Sequence, residues 1–335
     1  MRFKSLVPTR VKRLISPLIK IVRVIINHVY DVRRYLKHSA ELNDNSELKL
    51  EAKITETYHV LEKGLGMIEV KQGFGQGKVS ILIDLLKRYI KEGYSLDRSQ
   101  IKAAVSTLNA YFDYHAQLND HNINKLKEKA EDIFKTIRGE DVLEIGGSYT
   151  LNGEEIVRKA KGDFKELAFS RHSIRNFSPE DVDLDKIKEA INIALKTPSV
   201  CNRQSSRVYI VNQKENIRKI LALQNGNRGF GHTIKCVLIV TSDLNAFKGV
   251  GERNQGFIDG GMFAMSLLYA LHYVGLGACP LNWCVSRRKD QALRKQVKIR
   301  DSENIIMFIG VGNIPEKVNV AKSYRKPIEE ITYYL

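Results

Sequence analysis

The chain has 335 residues, 43% of them hydrophobic, so it can bury one large core or two ordinary ones as a packed soluble protein. Its four cysteines, Cys201, Cys236, Cys279 and Cys284, lie in the second half with no Cys-x-x-Cys spacing. That argues against a zinc site and a disulfide framework, and it fits a reducing cytoplasm. The net charge of +16 is uneven: residues 1–40 hold ten Lys or Arg against Asp31 alone, 10 − 1 = +9, leaving +7 for the other 295 residues. The excess basicity belongs to an N-terminal arm without interleaved aromatic platforms, which argues against nucleic-acid binding.

In the arm, residues 1–40, apolar residues recur at Val11, Leu14, Ile15, Leu18, Ile21, Val22, Ile25, Ile26, Val29, Val32 and Leu36. The spacing is near 3.6 and predicts an amphipathic helix that Pro17 begins or kinks. Lys20 and Arg23 interrupt every apolar run, which excludes a membrane span, and no small-residue cleavage site marks a signal peptide. Two readings remain level. The arm, through residues 1–36, lies on the anionic inner face of a membrane as a peripheral anchor, or its apolar face docks on the protein's own body or a partner subunit.

Residues 41–150 form the next region. A break at Asn43-Asp44-Asn45-Ser46 opens it, and residues 47–138 read as helical. Stripes run through Ile54, Tyr58, Leu61 and Leu65; through Val79, Ile83, Leu86 and Ile90; through Ile101, Val105, Leu108 and Phe112; and from Ile123 to Ile137. Breaks fall at Gly73-Phe74-Gly75, Gly93 and Asn119-Asp120, and Ser95-Leu96-Asp97 marks a helix start. Gly73-Phe74-Gly75-Gln76-Gly77-Lys78 is not a phosphate-binding P-loop, because Gln72 and Val79 stand where glycine and a hydroxyl are required. His59, Glu62 and Lys63 form either an acid–base cluster or an ordinary polar helix face. Residues 139–168 read as a connector with turn signals at Gly146-Gly147-Ser148 and Asn152-Gly153.

The last region, residues 160–335, opens on Phe169-Ser-Arg-His-Ser-Ile-Arg-Asn-Phe177. In an extended segment Arg171, Ser173 and Arg175 point one way, and two guanidinium forks beside a hydroxyl suit a phosphate. Ser178-Pro179-Glu180-Asp181 reads as a helix start. Helices are expected over residues 184–195, 217–223, 257–274 and 287–297, with Ile187, Ala190, Ile191 and Ala194 inward on the first. Strands are expected over 207–212, 236–241 and 305–311. Helix 257–274 carries no charge after Asp259 and is expected to be covered on all sides. The fold class is α+β, a sheet with helices on both faces, preceded by a mostly helical region.

Five motifs in order, Arg171-His-Ser-Ile-Arg175, Pro198-Ser199 with Asn202 and Gln204, Asp259-Gly260-Gly261, Gly275-Leu-Gly277 with Pro280-Leu281-Asn282, and Ile309-Gly-Val-Gly312 with Arg325-Lys-Pro327, resemble the nitroreductase-like flavoproteins over about residues 165–335. The resemblance implies that family's α/β sandwich, a homodimer and FMN at the subunit interface. It implies that Arg171, Ser173, Arg175 and Arg325 hold the FMN phosphate and that the backbone of His172 meets the ring edge. Ser199 and Asn202 would bond ring or ribityl oxygens, with Pro198 shaping their turn, and Pro280, Leu281 and Asn282 would cover the ring. NADH or NADPH would donate hydride for an electron-poor small-molecule acceptor, and no acid, base or nucleophile of the protein would be required. A flavin-binding scaffold that recruits a biosynthetic partner is the other reading.

His59-Val-Leu-Glu-Lys-Gly-Leu65 also resembles a segment carried by a subgroup of such proteins from surface-polysaccharide gene clusters. Read as structure alone, Ser199 and Asn202 cap a turn, Cys279 and Cys284 fill buried space, and Trp283 serves core, interface or ring contact. Ser205-Ser206 and Cys279 depart from the family pattern near the expected substrate pocket.

Overall fold

The apolar spacing of the arm produces one helix, α1 (Thr9–His38), with Pro17 inside it rather than at its start. A computed structural model describes residues 9–38, 45–118, 120–137, 145–247 and 250–335. The beginning of the arm, the expected breaks at Asn43-Asp44 and Asn119, and residues 139–144 of the expected connector lie outside the described residues. Leu18, Ile21, Ile25, Val29 and Val32 of α1 are 44–61% exposed. The helix is tied to the body through Asp31, whose carboxylate accepts two N–H bonds from Arg253 at 2.6 and 2.9 Å. No described helix is long and apolar enough to cross a membrane.

Four helices follow: α2 (Glu47–Leu65), α3 (Gln76–Lys91), α4 (Ser99–Tyr114) and α5 (His121–Thr136). Their stripes enclose one core, in which Ile54, Leu61, Val79, Leu86, Ile101 and Leu108 are wholly buried. This burial is what holds short helices that would fray alone. Asp120 caps α5 by accepting the N–H groups of Asn122 and Ile123. The glycine-rich stretch is a turn in which Gly73 and Gly75 adopt left-handed backbone. It tucks the Phe74 ring edge-on against Tyr111, at 5.3 Å between centroids, and Tyr111 donates its hydroxyl to the Phe74 carbonyl at 2.6 Å. His59 Nδ1 bonds the buried Glu62 carboxylate at 3.0 Å.

The expected connector holds regular structure: β1 (Ser148–Asn152), α6 (Gly153–Lys159) and α7 (Phe164–Ser170). β1 pairs antiparallel with the distant β6 (Lys317–Ala321). The local turn signals therefore mark strand ends, and a strand partner 169 residues away along the chain, as for Thr150 and Asn319, is invisible to local reading. The main sheet has the antiparallel order β2 (Ser206–Val211), β3 (Cys236–Asp243), β5 (Glu303–Asn313), β4 (Leu276–Asn282). Alternation splits the central strands. Cys236, Leu238 and Val240 of β3 meet α8 (Leu184–Ala194) and α10 (Gln255–Tyr273) on one face. Val237 and Ile239 meet α9 (Lys214–Leu221) and α11 (Arg287–Val297) on the other. The architecture is thus an α+β sandwich beside a mostly helical region.

Two expectations fail for tertiary reasons. Helix α8 starts at Leu184 with Asp183 as its cap, not at Ser178. The chain over 178–181 is held extended by the end of β5: Ser178 N–H donates to the Asn313 carbonyl, and the Asn313 amide donates to the carbonyls of Glu180 and Asp181. Helix α10 is covered on one flank only, for Phe257 and Ile258 are 53% and 54% exposed within the single chain.

A Cβ at Gly64 would lie 2.1 Å from Phe74 Cε2, in a ring already pinned by Tyr111. Gly64→Ala should therefore destabilise the helical region by about 1–3 kcal/mol, the scale of overpacking a core. Urea unfolding of the full chain, compared with the parent, measures it.

Candidate functional site

Helix α7 is capped by Asp163, which accepts the Glu166 N–H at 2.9 Å, and ends at Ser170. From Arg171 the backbone is extended, with φ −74° and ψ 118°. Ser173 bridges β4 at Ala278, and Ile174 N–H donates to the Ala278 carbonyl at 3.0 Å. Ile174 is 2% exposed and anchors one side of the segment. Arg171, Ser173 and Arg175 alternate with it and line one cavity of about 540 Å³. The facing wall is the stretch after β6, Lys322 to Arg325, and α10 adds Met265 and Tyr269.

The lining includes Arg171, Arg175, Lys322 and Arg325 and no carboxylate. Among the described residues no acid pairs with Arg171, Arg175 or Arg325, and Arg171 Nη1 is buried without a hydrogen-bond partner. Burial lowers the affinity of Arg171 for its proton, Tyr269 opposes this, and the charge of Arg325 adds to it. His172 is held below the usual histidine range by burial and by Arg171 and Arg325. His272, 4% exposed on α10, shares a 2.9 Å hydrogen bond with the Ser170 hydroxyl. Burial first, then Arg171 and His172, depress its pKa to about 4. A buried guanidinium nitrogen without an acceptor, among other cations, fits an anionic ligand such as a phosphate group.

The helical region holds the facing wall. Gln100 Nε2 donates to the Tyr324 carbonyl at 3.4 Å, and Gln100 Oε1 accepts the Tyr58 hydroxyl at 2.6 Å. The carboxylate of Glu51, 2% exposed, accepts Arg98 Nε at 2.7 Å and the ammonium of Lys326. Ser323, between these anchors and the cavity, has φ 49°, a left-handed backbone that a serine rarely adopts unless its surroundings impose it.

Pro198, Ser199 and Asn202 stand apart from this cavity. Pro198 and Ser199 line a smaller cavity of about 170 Å³ with Arg207, Asp259 and Phe263. Cys201, Asn202 and Gln204 all have left-handed backbone, each costing on the order of 1–3 kcal/mol. The turn is held by Val200 N–H on the Asp259 carboxylate at 3.1 Å and by Gln204 N–H on Ser199 Oγ at 3.0 Å. Paired bonds from Arg203 to Glu252 at 2.7 and 2.9 Å brace its end. Pro280 is half-buried on β4, Leu281 is 4% exposed within the core, and the Asn282 carbonyl accepts Gln224 Nε2 at 2.9 Å. Trp283 stacks on Phe308 at 4.7 Å and donates to Asp290, a core role. Cys279 is buried as expected of a filler, whereas Cys284 is exposed. Lys322 and Tyr269 were not singled out by sequence, since neither belongs to a spacing pattern.

A family model described as the nitroreductase family matches residues 168–227 and 219–313. No curated protein matches. Among solved structures the chain is similar to a protein from Staphylococcus epidermidis ATCC 12228 provisionally assigned as an NAD(P)H:FMN oxidoreductase. The identity is 19% and the TM-score 0.46, over 52% of this chain and 96% of that one. A nitroreductase family protein from Clostridium difficile 630 gives 20% identity and 0.44, over 52% and 98%. An FMN-dependent nitroreductase from Clostridium difficile R20291 gives 18% and 0.40, over 45% and 87%.

The depressed pKa of His272 has a consequence for stability. The unfolded chain binds a proton there below about pH 6.5, while the folded chain does not until about pH 4. The contribution is therefore full above pH 6.5 and is lost as pH falls from 6.5 towards 4. It is worth on the order of 3 kcal/mol over that window. Denaturation midpoints measured between pH 4 and 7 should show this slope, and His272→Gln should flatten it.

Proposed function

We propose that the C-terminal half of the chain is an FMN-dependent oxidoreductase domain of the nitroreductase family. The observation that carries this reading is the acid-free cavity in which Arg171, Arg175, Lys322 and Arg325 meet and one nitrogen of Arg171 is buried without an acceptor. FMN, when bound, supplies a centre that takes hydride from NADH or NADPH and passes it to an electron-poor acceptor. Arg171 and Arg325 would hold the phosphate, Ser173 would donate a hydroxyl to it, and Ile174 fixes the segment on β4. The uncovered flank of α10, with Phe257, Ile258 and Met262, supports a homodimer, since exposed apolar surface of this kind marks association sites.

Purified protein should be yellow and release flavin on heating. A colourless protein that takes up no added FMN would refute the reading. Arg171→Ala should weaken FMN binding by about 1–3 kcal/mol, the scale of a lost charge-assisted hydrogen bond. If flavin binds and neither a nicotinamide reduces it nor an acceptor reoxidises it faster than free FMN, the scaffold reading takes its place.

The arm sets a location. Residues 9–38 hold eight Lys or Arg, and their single acid, Asp31, is engaged by Arg253. That charge beside exposed Leu18, Ile25 and Val32 suits an anionic lipid surface, where each Lys or Arg contributes on the order of 1 kcal/mol. The full chain should sediment with anionic vesicles at low salt and less so as salt rises. A chain starting at Ser46 should not. Equal binding to neutral vesicles, or equal binding by both chains, would assign α1 to a protein contact.

A further inference from the structure

The stretch after β6, residues 322–330, is a strap along one wall of the cavity. It leaves the strand where the Lys322 N–H donates to the Gly147 carbonyl at 3.1 Å. Ser323 follows with left-handed backbone, and Lys322 to Arg325 line the cavity. Residues 322–327 belong to no helix or strand, and Pro327 leads into one short turn, Ile328–Glu330. Without a ladder or a helix of its own, the strap takes its path from groups elsewhere in the chain.

Those groups belong to the helical region, and they flank Arg325. On one side the Tyr324 carbonyl accepts Gln100 Nε2 at 3.4 Å. On the other, the ammonium of Lys326 donates to Glu51 Oε1. Further along, Glu330 Oε1 accepts the Ser99 N–H at 3.1 Å. Arg98 joins the last two fastenings, with Nε on Glu51 Oε2 at 2.7 Å and Nη1 at 3.7 Å from Glu330 Oε2. Successive side chains therefore go separate ways. Arg325 lines the cavity, while Lys326 lies outside that lining and meets a carboxylate that is 2% exposed.

The placement of Arg325 runs against electrostatics in the free protein. Arg171 and Arg175 line the same acid-free cavity, and like charges drive the most mobile of the three outward. An arginine on an unfastened strap would swing out to water, which solvates its charge. Glu51 opposes this from behind the wall. It draws the strap in through Lys326 without entering the cavity, so the backbone under Arg325 is fixed and the guanidinium is left to an incoming anion. A guanidinium already in place binds a phosphate at a lower ordering cost than one that must be gathered in.

We propose that Glu51, on α2, is a positioning residue for the anion end of this cavity, acting through Lys326 and the strap on Arg325. This rests on the FMN reading given above. It makes the helical region part of the binding apparatus: α2 and α4 set how tightly the phosphate is held, although neither lines the cavity.

The test titrates FMN into the full chain, parent and variants, and follows flavin fluorescence. Glu51→Gln should weaken FMN binding about tenfold, which is about 1.4 kcal/mol. Lys326→Met, which frees the strap and leaves the Arg98–Glu51 pair in place, should weaken it by a similar factor. The deciding measurement repeats both changes in an Arg325→Met background. There neither should cost further affinity, since the residue they position is gone, and that non-additivity is the signature of action through Arg325. Melting temperature does not discriminate, because breaking a buried ion pair lowers it in any case. An equal loss with and without Arg325 would mean general loosening of the site and would overturn the assignment, as would parent-like affinity in either single variant. The flavin reading stands in both cases. If the parent binds no FMN, both fall. Should Glu51→Gln fail to fold, Lys326→Met carries the same comparison alone.

Discussion

Arg171, Arg175 and Arg325 face one cavity whose lining contains no carboxylate, and the surrounding structure is arranged to bear that imbalance. At an effective dielectric near 20, two like charges about 8 Å apart repel by about 2 kcal/mol. An acid within the lining would relieve the repulsion and would also fill the place of an anionic ligand. The chain instead keeps its acids behind the wall. Glu51 and Glu330 grip Arg98 and Lys326, on the side of the helical region, and leave Arg325 to the cavity.

The two cores are therefore coupled through one seam. The Tyr58–Gln100–Tyr324 relay, the Glu51 ion pairs and the contact of Gly66 with Ala321 are each modest. Together they fix the wall in a conformation that includes a left-handed Ser323. Strain of that kind persists only where neighbours over-determine the backbone. Loss of packing among α2, α3 and α4 would be felt in the cavity, and occupation of the cavity would be felt in the helices, since linkage acts in both directions.

A second strained stretch lies on the other side of α10. Cys201, Asn202 and Gln204 hold left-handed backbone in a turn pinned by Asp259 and by the Arg203–Glu252 pair. Pro198, at its start, shares a cavity with Tyr269 and Tyr273 of α10, close to the helix's uncovered flank. The strain of this turn is thus borne by hydrogen bonds and an ion pair from within the chain.

Local sequence decided the elements. A 3.6-residue apolar repeat fixed α1 to α5 and α8, because one helix face must be buried wherever it lands. Continuous apolar runs fixed β3 and β5, and alternation placed Arg171, Ser173 and Arg175 on one side of an extended segment. Tertiary structure decided where those elements meet. Asp183 rather than Ser178 caps α8 because Asn313, over 130 residues away, holds the intervening carbonyls. Arg325 and Lys322 reach the cavity because β6 pairs with β1. None of these contacts leaves a mark in nearby residues. Periodicity reports only which face of an element seeks burial, whereas a charge cluster depends on which distant faces come together.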